Sequence, residues 1–328
     1  MLDEVLDLLA CPRCGGPLRR PLRRPLRCAS CGAEYGDAGG VPELRLDADA
    51  RTETVREFYA RAPFPGYPPR DSYPWLRARA ERSELARLLD QAISGDARIA
   101  EVGCGTGQMS LFLATADRLV IGADLTRASL ELAEDARRRY GIDRALFVET
   151  DLRSPGLRAG AFDVVYSSGV LHHTPDPRAS FAAVARLLRP GGTVVVGLYN
   201  AYARLPHRLR RGVARLTGFR WIPWDPVLRD RRAEPARHEA WLRDQYRHVE
   251  EHRHTLGEVQ GWFRENGVEY LRAYPDTLLA AEQLTGDGLF RAAEDDWPVE
   301  NVLAQLSWAR TLAHEGGLFL VVGRAAAG

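Results

Sequence analysis

Four of the five cysteines fall in two C-x2-C pairs, Cys11 with Cys14 and Cys28 with Cys31, while Cys104 sits apart in a run of alternating glycines. Each C-x2-C turns back on itself as a knuckle and offers two thiolates to one tetrahedral ion, and a glycine after each pair supplies the unusual backbone angles this needs. Two knuckles predict a closed, all-thiolate Zn2+ site on Cys11, Cys14, Cys28 and Cys31. No position is left open for water, so its expected role is structural. Zinc would contribute roughly 10–16 kcal/mol to folding, in a module too small to bury much core by itself. Between the knuckles the chain repeats Pro-Leu-Arg-Arg, the intervening hairpin of a ribbon. For Arg13, Arg19, Arg20, Arg23, Arg24 and Arg27 two readings stand: solvated hairpin faces, or a patch that contacts phosphate.

The second stretch with chemical content is Glu101-Val102-Gly103-Cys104-Gly105-Thr106-Gly107, an apolar strand running into glycines. Alternate glycines let the backbone come close to a ligand at the carboxyl end of a first strand, where doubly wound sheets hold their ligands. A dinucleotide turn would require glycine where this chain has Gln108, so NAD is disfavoured.

Histidines supply the remaining candidates. His172 and His173 occur together in "SSGVLHHTPDP", after an expected strand. His248, Glu250, Glu251, His252 and His254 crowd into "DQYRHVEEHRHT". That cluster suits a general base with an orienting carboxylate, a second metal site, or simply a polar approach to the next helix. The sequence contains no lysine, which excludes Schiff-base chemistry.

From residue 81 onward, strands and helices alternate, as in a parallel sheet with helices on both faces. Thr126 is expected to cap one helix and Gly141 to end it; Asp176 and Pro177 start another, and Thr255 with Glu258 forms a capping box. Two stretches break the rhythm, at about 200–255 and 276–313, and both are rich in tryptophan. Core filling and an apolar acceptor pocket are the two readings of those aromatics. Residues 48–80, dense in proline, read as a linker or as a lid. The expected division is therefore a zinc ribbon over 1–47, this linker, and an α/β domain over 81–328.

The formal net charge is +1, with 45 basic and 44 acidic residues, so the chain lacks the overall excess of a dedicated nucleic-acid binder. No apolar run approaches a membrane span, and the acidic, amphipathic start does not look secretory. A cytoplasmic location is the expectation.

Taken together, "EVGCGTGQ", an aspartate ending each of the next two strands, "FDVVYSSGVLHH" and "LLRPGG" resemble the class I S-adenosylmethionine-dependent methyltransferases over residues 81–200 and again over about 255–325. The resemblance implies a seven-stranded Rossmann-like sheet. It also implies S-adenosyl-L-methionine held by Glu101, Gly103, Cys104, Gly105, Gly107, Gln108, Asp124, Leu125, Asp151, Leu152 and Ser167. Asp124 would take the ribose hydroxyls, and Asp151 would lie near the adenine amine with Leu152 beside the ring. His172, His248 and His254 are the expected acid, base or orienting groups. The N-terminal ribbon resembles the small zinc-binding activator subunit of several methyltransferases acting on RNA and release factors, here fused in cis; in that family it covers apolar surface on the catalytic partner.

The preferred acceptor is a small, partly apolar metabolite. The alternatives are an RNA or translation protein docked through the ribbon, and a binding protein without catalysis. The oligomeric state is left open.

Overall fold

The strands from residue 98 onward are nearly continuous in apolar residues because both faces of their sheet are covered, which removes the polar alternation of a one-sided sheet. In the computed structural model the described residues are all but 1–2, 20–24, 47–49, 61–62, 64–65, 68–70, 224, 226–227, 230–237, 239–240, 243–244, 247–250, 276–283, 294–297, 313–315 and 328. The chain begins with α1 (Asp3–Leu6), then the antiparallel ribbon strands β1 (Leu18–Arg19), β2 (Leu26–Cys28) and β3 (Glu34–Tyr35), then β4 (Asp37–Ala38) and β5 (Val41–Leu44). Helices α2 (Ala50–Ala60), α3 (Tyr73–Ala80) and α4 (Glu84–Ala92) lead to the alternating part. This comprises β6 (Arg98–Val102), α5 (Gln108–Leu113), β7 (Leu119–Asp124), α6 (Arg127–Tyr140), β8 (Ala145–Thr150), β9 (Phe162–Ser168), α7 (Pro177–Ala185) and β10 (Leu188–Tyr199). After α8 (Leu205–Leu216) come α9 (Leu256–Glu265), β11 (Val268–Tyr274), α10 (Gly286–Leu289), α11 (Pro298–Thr311) and β12 (Leu318–Ala325).

The main sheet has the order β11-β12-β10-β9-β6-β7-β8-β5-β4. β12 runs antiparallel between β10 and β11, and the strands from β10 to β5 pair in parallel. The order reverses at β6 and β9, which opens a crevice at their carboxyl ends. Seven strands were expected and nine are present among the described residues. The two additional strands, β4 and β5, come from the end of the ribbon segment, where Glu43 and Leu44 register with Glu149 and Thr150 of β8. Pairing there covers what would otherwise be a bare sheet edge.

The ribbon also shares a core with the sheet. Leu8, Leu9, Leu18, Leu26, Tyr35 and Leu44 are buried in one cluster with Ile121, Val148 and Leu157. Helix α1 stops at Leu6 for the same reason. Beyond it the backbone straightens to bond the main body, Ala10 N donating to Gly156 O at 2.9 Å and Arg158 N to Leu8 O at 2.8 Å. Apolar surface of the α/β part is thus covered from within the chain.

Local signals act as their chemistry predicts, with one exception. Asp176 Oδ1 accepts from Ala179 N at 3.0 Å with Pro177 in the first turn, and Thr255 Oγ1 accepts from Glu258 N at 3.2 Å. Gly141 ends α6 at φ +68. At Thr126, however, the side chain makes no cap bond; its N–H donates to Asp124 Oδ1 at 2.8 Å, so the aspartate serves the helix start. In the first insertion Ala214, Leu228, Trp241, Leu242 and Tyr246 form a small core of their own. Trp262 and Trp308 fill the main core, whereas Trp75 and Trp221 are exposed. No helix among the described residues is long and apolar enough to cross a membrane.

Candidate functional site

β6 ends at Val102 and the chain then turns through Gly103, Gly105 and Gly107, all at positive φ (+78, +53 and +72). A Cβ at Gly103 would lie 2.2 Å from Val170 Cγ2, and one at Gly107 2.5 Å from the Phe147 ring. Packing therefore demands glycine at these two positions as firmly as the backbone does. The turn is pinned to the end of β7: Gly103 N donates to Ala123 O at 2.7 Å, and Gly105 N to Asp124 Oδ2 at 2.8 Å. Thr126 N donates to Oδ1, and the Thr126 hydroxyl and Leu125 N–H also stand against the carboxylate.

A cavity of about 520 Å3 opens over this turn. Its lining includes Glu101, Gly103, Cys104, Gly105, Gln108, Asp124, Leu125, Asp151 and Leu152, which the sequence had brought forward. Gly107 and Ser167 stand outside it: Gly107 is backed against Phe147, and the buried Ser167 hydroxyl donates to Val102 O at 2.8 Å. Burial pushes the Glu101 carboxyl up to about 8, against donation from the Ser110 hydroxyl. Burial also raises Asp124, opposed by the N–H groups of Thr126 and Gly105, and holds the Cys104 thiol well above its usual range. The floor of the cavity thus gathers the acidic groups Glu101 and Asp124.

Farther along, Asp151 is held by Arg153, whose Nη2 donates to Oδ2 at 2.7 Å and whose backbone N donates to Oδ1 at 2.9 Å. The proline-rich segment forms part of the wall. Thr52, Val55 and Tyr59 of α2 line it, and Tyr67 Oη donates to Thr106 O at 2.6 Å, strapping the segment across the glycine turn. Gln108 Nε2 donates to Gly66 O at 3.3 Å and Gln108 Oε1 accepts from Arg79 Nη2 at 2.8 Å.

The rest of the lining is rich in aromatic groups and was largely missed in the sequence: Tyr166, His173, Tyr199 and Trp241, together with Val170, Gln245 and Leu318. Tyr199 is fixed from three sides. Gln245 Nε2 donates to its hydroxyl at 2.6 Å, the Arg204 guanidinium stands 3.7 Å from its ring centroid, and the His172 ring lies 3.9 Å away. Arg204 is fully buried; it donates to Gly316 O at 2.7 Å and to Gln245, and pairs with Glu251 at 2.9 Å.

The expected histidines separate. His173 lines the cavity, while its neighbour His172 is fully buried outside the lining, with its carbonyl accepting from His252 N at 2.8 Å. His254 also lies outside the lining; its Nδ1 meets Glu258 Oε1 at 2.9 Å and its ring packs edge-on against Trp262. Glu251 is occupied by Arg204 and Arg211. His248 and Glu250 lie outside the described residues.

Among the described residues one group is arranged to hold a metal ion, Cys11, Cys14, Cys28 and Cys31, with all four Sγ atoms within 4.8 Å of one another. Cys11 and Cys31 sulfurs are 3.6 Å apart and those of Cys14 and Cys28 3.5 Å, too long for disulfides. A tetrahedral ion with bonds near 2.3 Å sets its ligand sulfurs about 3.8 Å apart, which these spacings approach. The backbone N–H groups of Cys31 and Ser30, each 3.4 Å from Cys28 Sγ, hold that thiol down to about 6. Gly15 and Gly32 follow their knuckles at φ +72 and +73.

Residues 100–196 match the methyltransferase domain family. An uncharacterised protein of Synechococcus sp. is 26% identical over 275 residues, covering 73% of this chain and 65% of that protein. The ubiquinone biosynthesis O-methyltransferase of Cronobacter sakazakii is 33% identical over 107 residues, covering 33% of this chain and 44% of that protein. The chain therefore spans less than two thirds of the length of either relative. Among solved structures, the complex of the Haloferax volcanii Trm112 methyltransferase activator with a methyltransferase aligns over 86% of this chain and 100% of its own, at 16% identity and TM-score 0.47. The matched residues 100–196 are built around the glycine turn and Asp124, and the chain carries them behind an N-terminal four-cysteine ribbon.

Proposed function

We propose that the chain transfers a methyl group from S-adenosylmethionine to a small, partly apolar acceptor seated between the glycine turn and the wall of Tyr199, Trp241 and His173. The observation that carries this reading is that one cavity is lined both by the buried acidic groups Glu101 and Asp124 and by the aromatic groups Tyr199, Trp241 and His173. Glu101 and Asp124 are costly to ionise where they stand, and a cationic ligand removes that cost. Asp124, in the cavity lining at the end of β7, takes two vicinal hydroxyls, and the ligand lies along the backbone of Gly103 and Gly105. Asp151 serves an adenine amine with lone pairs that Arg153 leaves over, and Leu152 lies beside it.

The cofactor supplies an electrophilic methyl group on a sulfonium. The chain's part is alignment and proton handling. Tyr199, held by Gln245 and Arg204, sets the acceptor's orientation, and His173 takes the proton that a hydroxyl acceptor gives up. His172 supports the Tyr199 ring from behind. The four-cysteine cluster holds Zn2+ as a structural ion, fixing the ribbon on the β8 edge of the sheet. The Cronobacter relative, named for O-methylation in ubiquinone biosynthesis, is consistent with an apolar acceptor.

The test is incubation with methyl-labelled cofactor and host extract, followed by separation into small-molecule, RNA and protein fractions. Label is expected among organic-soluble small molecules. Label in RNA or protein would replace the acceptor class, and no label in any fraction would contradict transfer itself.

A further inference from the structure

Helix α8, "LPHRLRRGVARL", leaves β10 just beyond Tyr199 and shows two different faces. Its inner side is committed: His207 and Ala214 are buried, Ala214 packs with Trp241 and Tyr246, and Arg211 pairs with Glu251 at 3.1 Å. Its outer side is not polar. Leu205 is 43% exposed, Leu209 75% and Leu216 89%, and Trp221 just past the helix is 55% exposed. Leu205, Leu209 and Leu216 recur at helical spacing on one stripe. Exposed Arg208 and Arg215 flank this stripe on one side, with exposed Arg220 beside Trp221. Residues 200–224 contain six arginines and no acidic residue. Among the described residues, no carboxylate pairs with Arg208, Arg215 or Arg220.

We infer that the outer face of α8 docks on an anionic lipid surface, lying in the plane of the headgroups with Leu209, Leu216 and Trp221 inserted and the arginines on lipid phosphates. An interfacial helix combines an apolar stripe, flanking arginines and an aromatic at its edge in this way. The charge selects an anionic partner, and the leucines select among anionic partners. A nucleic-acid backbone would satisfy the arginines but would leave the leucines in water. A second copy bringing the same face would oppose arginine to arginine. The inference stands apart from the methyl-transfer reading, because it needs no bound cofactor. It also gives that reading a supply route. Trp241, against which the inner side of α8 packs, lines the cavity, so surface and acceptor wall lie one layer apart.

The experiment is flotation of the full chain with neutral phosphatidylcholine vesicles and with vesicles containing about one third phosphatidylglycerol. Binding is expected to the anionic vesicles, with a partition coefficient at least about tenfold above that for neutral ones. Leu209→Glu and Leu216→Glu, at positions too exposed to disturb folding, should each lower it about tenfold or more. Arg208→Gln with Arg215→Gln should lower it on anionic vesicles only. Absence from anionic vesicles, or binding unchanged by the leucine variants, would overturn the inference. So would binding to a homopolymer RNA in preference to vesicles, or concentration-dependent self-association that the leucine variants abolish.

Discussion

Replacing Glu101 by glutamine isolates the electrostatic logic of the cavity floor. The glutamine keeps the shape and still accepts from Ser110, but it cannot ionise. In the folded chain the carboxyl is pushed from its ordinary 4.5 up to about 8 by burial, so the folded state holds this proton more tightly than the unfolded state does. The group's favourable contribution is complete below the unfolded value and is lost as pH rises through the folded one. At neutral pH about 2.5 units of that difference have been expressed, which at about 1.4 kcal/mol per unit amounts to about 3 kcal/mol. Glu101→Gln should therefore match the parent near about pH 4.5 and exceed it by up to about 3 kcal/mol at about pH 7. Urea unfolding of both proteins without cofactor, across that range, reads the difference directly. Asp124 and Cys104 titrate in both proteins, and each is relieved of one like charge in the variant, which adds to the difference as pH rises. Cofactor binding should move the other way, weakening in the glutamine variant because a countercharge has gone. A stability difference that stays flat with pH would refute the reasoning.

Two further outcomes follow from packing and from the ribbon. Gly103→Ala places its Cβ against Val170 in a left-handed backbone, costing about 2–5 kcal/mol from strain and overpacking together. Adding Val170→Ala should recover only the overpacking part in denaturant unfolding; full recovery would show that the backbone angle is irrelevant. Cys28→Ser, or removal of metal by a chelator, should lower the melting temperature and expose Leu8, Leu9 and Leu26 to limited proteolysis near the amino terminus, since the ribbon shares the core of the sheet. A protein equally resistant with and without metal would contradict a structural role.

The fold was legible where chain chemistry is local. Glycines at positive φ, the caps at Asp176 and Thr255, and the knuckle glycines are dictated by neighbours a few residues away. The ninefold sheet was not legible, because Val41 and Leu44 carry no mark of which strand they will join; pairing with β8 emerges only once the edge exists. The site divided in the same way. The floor lies on one turn and two strand ends, so its spacing revealed it. The wall is assembled from α2, the turn after β9, the end of β10 and the insertion, and no spacing connects Tyr59, Tyr199 and Trp241. His254 drew attention by crowding with other histidines, yet Glu258 and Trp262 on the helix that follows it claim it. Asp151 was found, but not the Arg153 that holds it.

Calorimetric titration of S-adenosylmethionine into the parent protein and into Asp124→Ala, each first shown to be folded by circular dichroism and unfolding, tests the central claim most directly. The account predicts one site per chain in the parent and a loss of affinity of about a hundredfold or more in the variant, as expected for losing a buried charged acceptor of about 3 kcal/mol. No binding to the parent, or equal affinity in the two proteins, would contradict it.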